Sequence, residues 1–265
     1  MDDWFSVIDA RCELSADAIQ ELWDVGFVVI PGPLASDQLA QFAQAYDAAV
    51  LCAASDDVSI GRSTTRVNDF VNRGPEFDSL YVYQPVLDAC CRIIGQPFKL
   101  STMHARTVRP YSQAQNLHVD FSCERDGWPM VGFIMMVDGF RTDNGATRFV
   151  PGSHRWVTTP TDVPTDASAD YEGQALAYGP AGSVIIYNGS VWHGHTANSS
   201  GEPRRSIQGA YIRRDAEPAV NQAAHIRPTT LGRIGQVAKY VLAVYQIVGR
   251  EWREGVSQLD SSGDL

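Results

Sequence analysis

The 265 residues predict a mainly β fold with flanking helices, and three features carry that reading. From residue 98 onward, apolar runs of strand length alternate with turn-forming residues, at 99–108, 116–121, 130–137, 147–150, 183–187 and 206–212. Apolar residues recur at helical spacing before this region, over about 15–95, and again after it, over about 229–250. The 22 Gly and 14 Pro show no G-X-Y period and provide turns for many short strands, while 44% hydrophobic against 20% charged residues describe a chain that buries a core. Residues 1–265 are read as a single domain with its β core at about 98–215, a sandwich or a barrel.

Along the chain, Ser15 is placed to cap a first helix whose Ile19, Leu22 and Trp23 share one face, with Gly26 at its end. A strand at 27–30 is stopped by Pro31-Gly32-Pro33, and Ser36 is expected to cap a second helix carrying Leu39, Phe42, Tyr46 and Val50. Residues 54–80 are polar, broken by Gly61 and Gly74-Pro75, and carry Arg62, Arg66, Asn68 and Arg73. They read as a long loop region with short pieces of structure, either a pocket wall or a solvated connection. A helix over about 85–94 ends at Gly95. Past the β core, Leu231, Ile234, Val237, Val241, Val244, Ile247 and Val248 predict one helix of about five turns. The last ten residues are expected to fray.

Acidic residues outnumber basic ones 31 to 21, and a net charge of -10 repels a polyanion, so no nucleic-acid partner is expected. No apolar stretch approaches the roughly 20 residues of a membrane helix. The opening Met1-Asp2-Asp3 lacks the basic and apolar regions of a secretory signal, which predicts a cytoplasmic protein with no membrane partner. Five cysteines without a C-x-x-C pair read as reduced thiols, and Cys123 reads as a thiol beside a site and not as a nucleophile.

The chemistry begins at Gln115-Asn116-Leu117-His118-Val119-Asp120, because on a strand His118 and Asp120 share one face. A further imidazole is offered about 75 residues later, in Trp192-His193-Gly194-His195. Two imidazoles and one carboxylate with positions left open suit non-haem Fe(II), whereas structural zinc takes four ligands, usually including thiolates. Arg204 follows His193 by eleven residues across the polar stretch 197–202, which reads as a hairpin setting the two opposite one another. A planar guanidinium there suits a carboxylate, so a dicarboxylate could chelate the metal at one end and be anchored at the other.

These residues resemble the phytanoyl-CoA dioxygenase-like branch of the Fe(II)/2-oxoglutarate-dependent oxygenases. They do so together with Trp192, Asn198 and the run Asp143-Asn144-Gly145-Ala146-Thr147-Arg148-Phe149-Val150-Pro151-Gly152-Ser153-His154, over about residues 14–225. The resemblance implies a double-stranded β-helix (jelly-roll, cupin-like) core. It implies Fe(II) on His118, Asp120 and His193, the distal carboxylate of 2-oxoglutarate on Arg204, and further co-substrate contacts at Gln115 and Thr147. The implied reaction consumes dioxygen and 2-oxoglutarate, releases succinate and CO2, and hydroxylates an unactivated C–H bond of a small metabolite, a natural product or an acyl-type substrate. The family's halogenases carry a small residue where Asp120 stands, so hydroxylation is implied over halogenation; desaturation or rearrangement stays open, because substrate placement decides.

His195 stands where relatives often carry a small residue, which leaves the choice of histidine open; the spacing to Arg204 and the preceding Trp192 favour His193. A jelly-roll metal-binding protein, or a cupin-type metalloenzyme without 2-oxoglutarate turnover, remains the alternative. A small-molecule substrate is the expected partner, and the oligomeric state, monomer or homodimer, is left open. His104, Phe121, Trp128, Met135, Arg66 and Asn68 could line the pocket, with packing in the core or at the surface the alternative for each. His154 reads as a turn residue held by backbone, and Arg205 as facing away from Arg204.

Overall fold

Ser15 Oγ accepts a hydrogen bond from Ala18 N at 3.1 Å and starts α1 (Ala16–Asp24), and Gly26, at φ +94°, turns the chain into β1 (Phe27–Pro31). The computed structural model describes residue 8 and residues 13–124, 127–162, 166, 168–248 and 251–254. Helix α2 (Leu39–Leu51) follows a short 3-10 turn at Ser36–Gln38. The Ser36 cap expected there does not form; Ala35 N donates instead to Gln38 Oε1 at 2.9 Å. Helix α3 (Gln84–Ile93) carries Val86, Leu87 and Cys90 buried on one face, and Gly95 lies just beyond it at φ +65°.

The polar region 54–80 holds the short pieces of structure expected of it, and two of them are strands. Val58–Ile60 and Thr64–Val67 form strands β2 and β3, a hairpin closed by Gly61 N donating to Thr64 O at 2.8 Å. β-branched side chains prefer a pleated surface even where the flanking sequence is hydrophilic, which explains why Val58, Ile60, Thr64, Thr65 and Val67 pair here. The remaining strands are β4 (Phe98–Val108), β5 (Met130–Met136), β6 (Thr147–Phe149), β7 (Ala175–Ala177), β8 (Ser183–Asn188), β9 (His193–His195) and β10 (Arg204–Arg213).

They build two facing antiparallel sheets of a jelly roll, in the orders β1-β8-β5-β10-β4-β3-β2 and β7-β6-β9. The outer face of the large sheet offers Met103, Ala105, Phe133, Met135, Ile207 and Tyr211 to the helical layer, where Leu22, Phe42, Val86 and Leu87 are buried with them. Its inner face contributes Phe27, Ile134, Met136 and Ile185 to a second core against Phe149 and Ala177 of the small sheet. Fully burying side chains of this size contributes about 1.5–3 kcal/mol each, so both faces of the sheet are held.

Two expectations are corrected. The single C-terminal helix over about 229–250 is replaced by α5 (Pro228–Arg233), α6 (Gln236–Val241) and the hairpin strands β11 (Tyr245–Val248) and β12 (Glu251–Glu254), with the short α4 (Gln222–His225) before them. Ile234 and Gly235 are extended, at ψ 146° and −177°, and Ala243 is left-handed, at φ +56°, so the helical apolar period is cut twice. Residues 249–250 and the last ten, expected to fray, lie outside the described residues. The strand expected at 116–121 is a loop joined to the small sheet through one bridge, His118 to His193. Among the described residues no helix is long and apolar enough to cross a membrane. Cys52, Cys90, Cys91 and Cys123 are free thiols; Cys12 lies outside the described residues.

Candidate active site

Strand β9 is the scaffold of the site. His193 N donates to His118 O and His118 N to His193 O, both at 2.9 Å, and Gln115 N donates to His195 O at 2.9 Å, so residues 115–118 lie along the edge of the small sheet. Gly194 permits this approach: a Cβ there would come within 3.0 Å of Asn116 O. The loop is then tied down by Asp120 N donating to Gly189 O at 3.0 Å and Ser190 Oγ donating to Phe121 O at 2.8 Å.

This brings His118, Asp120 and His193 together, with one ligand atom from each lying within 4.8 Å of the others. His118 Nε2 is 3.7 Å from Asp120 Oδ1, and His193 Nε2 is 3.6 Å from Asp120 Oδ2. Each imidazole uses its other nitrogen on a backbone carbonyl, His118 Nδ1 on Asn116 O at 3.1 Å and His193 Nδ1 on Val191 O at 2.9 Å. That arrangement turns both Nε2 atoms towards the carboxylate with a lone pair free, the orientation metal-binding histidines take. Phe149 stacks on the His193 ring at 5.6 Å and fixes its plane.

Burial, with His193 beside it, pushes His118 down to about 4, so its imidazole is neutral at physiological pH. For Asp120, burial acts to raise the pKa, but the two imidazoles, the Tyr187 hydroxyl and Arg106 outweigh it and leave the carboxyl below its ordinary value. Tyr187 OH donates to Asp120 Oδ2 at 2.7 Å, and burial keeps that hydroxyl protonated. Two imidazoles and one carboxylate, with no thiolate, fit a first-row divalent metal that keeps positions open for exchangeable ligands.

A cavity of about 590 Å³ opens from these three side chains between the sheets, within the roughly 300–1,000 Å³ typical of small-molecule sites. Gln115, Thr147 and Arg204 all line it. Arg204 is only 1% exposed, and its guanidinium lies 4.1 Å over the Phe140 ring. Its Nη1 donates to Ser206 Oγ at 3.2 Å, while its Nε is buried without a hydrogen-bond partner. Burial, with Arg106 nearby, lowers its pKa to about 9, which still leaves it charged at physiological pH. Among the described residues no carboxylate makes an ion pair with Arg204, although Asp138 acts on it from further away, so this buried cation suits an anion from outside the chain.

The hairpin reading that set Arg204 opposite His193 does not hold. Strand β9 pairs with β6, whereas β10 pairs with β4 and β5, and residues 196–203 carry the chain from the small sheet to the large one. Asn198 bridges Ser112 and Asn144 in this crossing and so does not form a two-strand turn. The two residues meet the same cavity from facing sheets.

His195 is occupied elsewhere: its Nε2 bonds Ser63 Oγ at 2.8 Å and its Nδ1 bonds Thr196 O at 2.8 Å. Its place in the close trio is taken by His193. Of the other candidates, His104, Phe121 and Arg66 line the cavity. Met135 instead belongs to the outer core, and Trp128 packs on Trp23 and His154. His154 is held as expected, through Nε2 to Trp23 O at 3.0 Å, and Arg205 pairs with Asp138 at 2.7 Å and Asp47 at 2.6 Å. Sequence reasoning missed Tyr187. The signal was Gly132 inside an otherwise apolar strand, directly opposite Tyr187, where a Cβ would fall 2.1 Å from the tyrosine ring.

Residues 23–206 match the family model described as phytanoyl-CoA dioxygenase (PhyH). The chain belongs to the phytanoyl-CoA dioxygenase family. Among relatives of this PhyH chain, the dioxygenase cdmA of Talaromyces verruculosus is 39% identical over 108 residues, covering 38% of this chain and 35% of its own. The multifunctional dioxygenase prhA of Penicillium brasilianum is 28% identical over 213 residues, covering 73% of this chain and 70% of its own. The matched stretch thus spans about a third of the first relative's length and most of the second's. The crystal structure of HygX from Streptomyces hygroscopicus, with nickel, 2-oxoglutarate and hygromycin B bound, superposes with a TM-score of 0.62 at 18% identity. It covers 77% of this chain and 90% of that one, and it shows the same fold.

Proposed function

We propose that this PhyH chain is an Fe(II)- and 2-oxoglutarate-dependent oxygenase that hydroxylates an unactivated C–H bond of a small metabolite, a natural product or an acyl-type substrate. One observation carries the reading: a compact trio of His118, Asp120 and His193 shares a cavity with Arg204, a buried guanidinium whose Nε has no partner. The metal and co-substrate, when bound, supply dioxygen activation coupled to conversion of 2-oxoglutarate to succinate and carbon dioxide. The chain holds them. His118, Asp120 and His193 are the metal ligands, and Tyr187 fixes the carboxylate between the two imidazoles through its 2.7 Å hydrogen bond.

Arg204 takes the distal carboxylate of the co-substrate, with Phe140 keeping water from one face of the guanidinium. Gln115 accepts from Arg106 Nη2 at 3.0 Å, which leaves its amide N–H groups for a carboxylate oxygen; the Thr147 hydroxyl lines the same cavity. The carboxylate at Asp120 fills the ligand position that halogenating relatives leave to a small residue, which favours hydroxylation. HygX, which has the same fold, binds nickel, 2-oxoglutarate and hygromycin B, in keeping with a metal, a dicarboxylate and a small molecule as the ligands proposed for this chain.

The test is succinate release from 2-oxoglutarate with Fe(II), ascorbate and air, alongside binding of 2-oxoglutarate to the anaerobic protein. Removing one partner of a buried charge pair costs about 3–5 kcal/mol, so Arg204→Ala is expected to weaken 2-oxoglutarate by two orders of magnitude or more, roughly, while metal binding persists. Unchanged 2-oxoglutarate affinity in Arg204→Ala, or no binding by the wild type, overturns the assignment.

A further inference from the structure

The cavity has an end that the proposed reaction leaves unassigned. Met130, Ala210 and Ile212 form an apolar cluster with Phe121, and all four line the cavity. Along β4 and β10, His104 and its partner Gln208 stand between the Arg106–Ser206 pair, towards Arg204, and the Thr102–Ala210 pair, towards this cluster. His104 is 6% exposed, and it also lines the cavity. Its Nδ1 reaches Thr102 Oγ1 at 3.4 Å, and its Nε2 is buried without a hydrogen-bond partner. The Gln208 side chain lies close enough to His104 to favour its protonated form weakly, but it does not meet hydrogen-bond geometry with Nε2, and Gln208 Oε1 accepts from Arg106 Nη1 at 3.4 Å.

Leaving a buried polar atom unpaired costs roughly 1–3 kcal/mol, which a ligand supplying the missing partner recovers. Burial, helped by Arg66 and Arg106, pushes His104 down to about 3, so the ring is uncharged at physiological pH and offers a hydrogen bond without a counter-charge. Glu217 stands at the same end, beside Ala219 whose N donates to Ser101 Oγ at 2.9 Å, and its carboxylate disfavours an anion there.

We propose that His104 Nε2 hydrogen-bonds an uncharged oxygen function, a hydroxyl or a ketone, of a primary substrate whose hydrocarbon body rests on Phe121, Met130, Ala210 and Ile212. His104 is then a specificity-determining residue, and the substrate class is an oxygenated but non-ionic apolar metabolite. This rests on the oxygenase reading above and narrows it. A carboxylate-bearing substrate would find its counter-charges at Arg66, Arg106 and Arg204, and Arg66 pairs with Arg106 across β3 and β4, on the side of His104 away from the apolar cluster and towards the end assigned to the co-substrate.

The test uses four probes on one rigid bicyclic skeleton: borneol, camphor, bornane and bornane-2-carboxylate. Their binding to the full chain with Fe(II) and 2-oxoglutarate is followed by anaerobic calorimetry. Borneol and camphor are expected to bind at least about tenfold tighter than bornane, and the carboxylate no tighter than bornane. His104→Leu is expected to shrink that preference below about twofold, and His104→Gln, which keeps a polar group, to restore part of it. Equal binding of alcohol and hydrocarbon overturns the proposal. So does preference for the carboxylate, absence of binding by every oxygenated probe, or a preference that survives in His104→Leu. Thermal unfolding checks each variant's fold, and His104→Ala replaces His104→Leu if the latter does not fold. Wild-type succinate release and 2-oxoglutarate binding, measured on the same protein, report separately on the oxygenase reading: if both are present while the His104-dependent preference is missing, only the substrate assignment falls.

Discussion

Replacing Tyr187 by Phe removes one hydroxyl and leaves the ring that packs 4.9 Å from His193. That hydroxyl donates to Asp120 Oδ2 at 2.7 Å. A hydrogen bond to an ionised carboxylate contributes about 1.5–3 kcal/mol, or roughly 10- to 150-fold in an equilibrium constant. The Asp120 side chain keeps 28% of its surface exposed, so water replaces part of the lost bond and the lower end applies. Metal affinity is expected to fall about 10- to 30-fold, in line with other groups that orient a ligand from behind. The pH response has a definite sign. Burial raises the Asp120 pKa, and Tyr187 is among the groups that bring it below its ordinary value. Deleting that contribution lets the carboxyl protonate at higher pH, so metal release on acidification starts earlier in the variant. Anaerobic Fe(II) titration against a competing chelator, repeated from pH 8 to 5, measures both effects. Wild-type affinity together with an unshifted pH curve would refute the role given to Tyr187.

Gly132→Ala is expected to displace the Tyr187 ring, since the new Cβ would fall 2.1 Å from it, and to cost about 1–3 kcal/mol in urea unfolding together with a loss of metal affinity; normal values for both would contradict the packing. His193→Ala is expected to abolish stoichiometric Fe(II) binding, whereas His195→Asn retains it, because Ser63 and Thr196 already occupy both nitrogens of His195; metal analysis after desalting decides. The apo protein is expected to lose thermal stability between pH 7 and 5. The His104 pKa is lowered by burial from 6.5 to about 3 and that of His154 is lowered by burial as well, so their contribution is present above about 6.5 and declines as pH falls through the window below it. For His104 the loss by pH 5 is up to about 2 kcal/mol, and a flat melting temperature by scanning calorimetry would contradict it.

Strand positions in the β core were legible because period-two apolar runs bounded by Gly and Pro admit few other structures. Phe98–Val108, Met130–Met136 and Ser183–Asn188 fall within one residue or two of expectation. The convergence of His118, Asp120 and His193 was also legible, although its local basis was not: the first two sit on a loop pinned to β9 by backbone bonds instead of on a strand. Residues 197–202 show why turn chemistry alone misleads. Polar residues around Asn198 suit a hairpin and a sheet-to-sheet crossing equally, and only the pairing of β10 with β4 and β5 distinguishes them. In the C-terminal segment, apolar spacing favoured one helix, but Gly235 and Ala243 adopt backbone conformations that interrupt it. Tyr187 and the unpaired nitrogen of His104 depend on cross-strand distances that no pattern along the chain encodes.

The trio stands on or beside the smaller sheet, while the guanidinium that faces it belongs to the larger one. A dicarboxylate gripping both would therefore act as a clasp across the mouth of the roll, and its departure would leave the two walls held there by a few side-chain hydrogen bonds, such as Tyr187 to Asp120 and Arg106 to Gln115, besides the loops and the packing behind them. Heat resistance and turnover would then draw on the same seam, with the resting protein loosest along the path its reactants must enter.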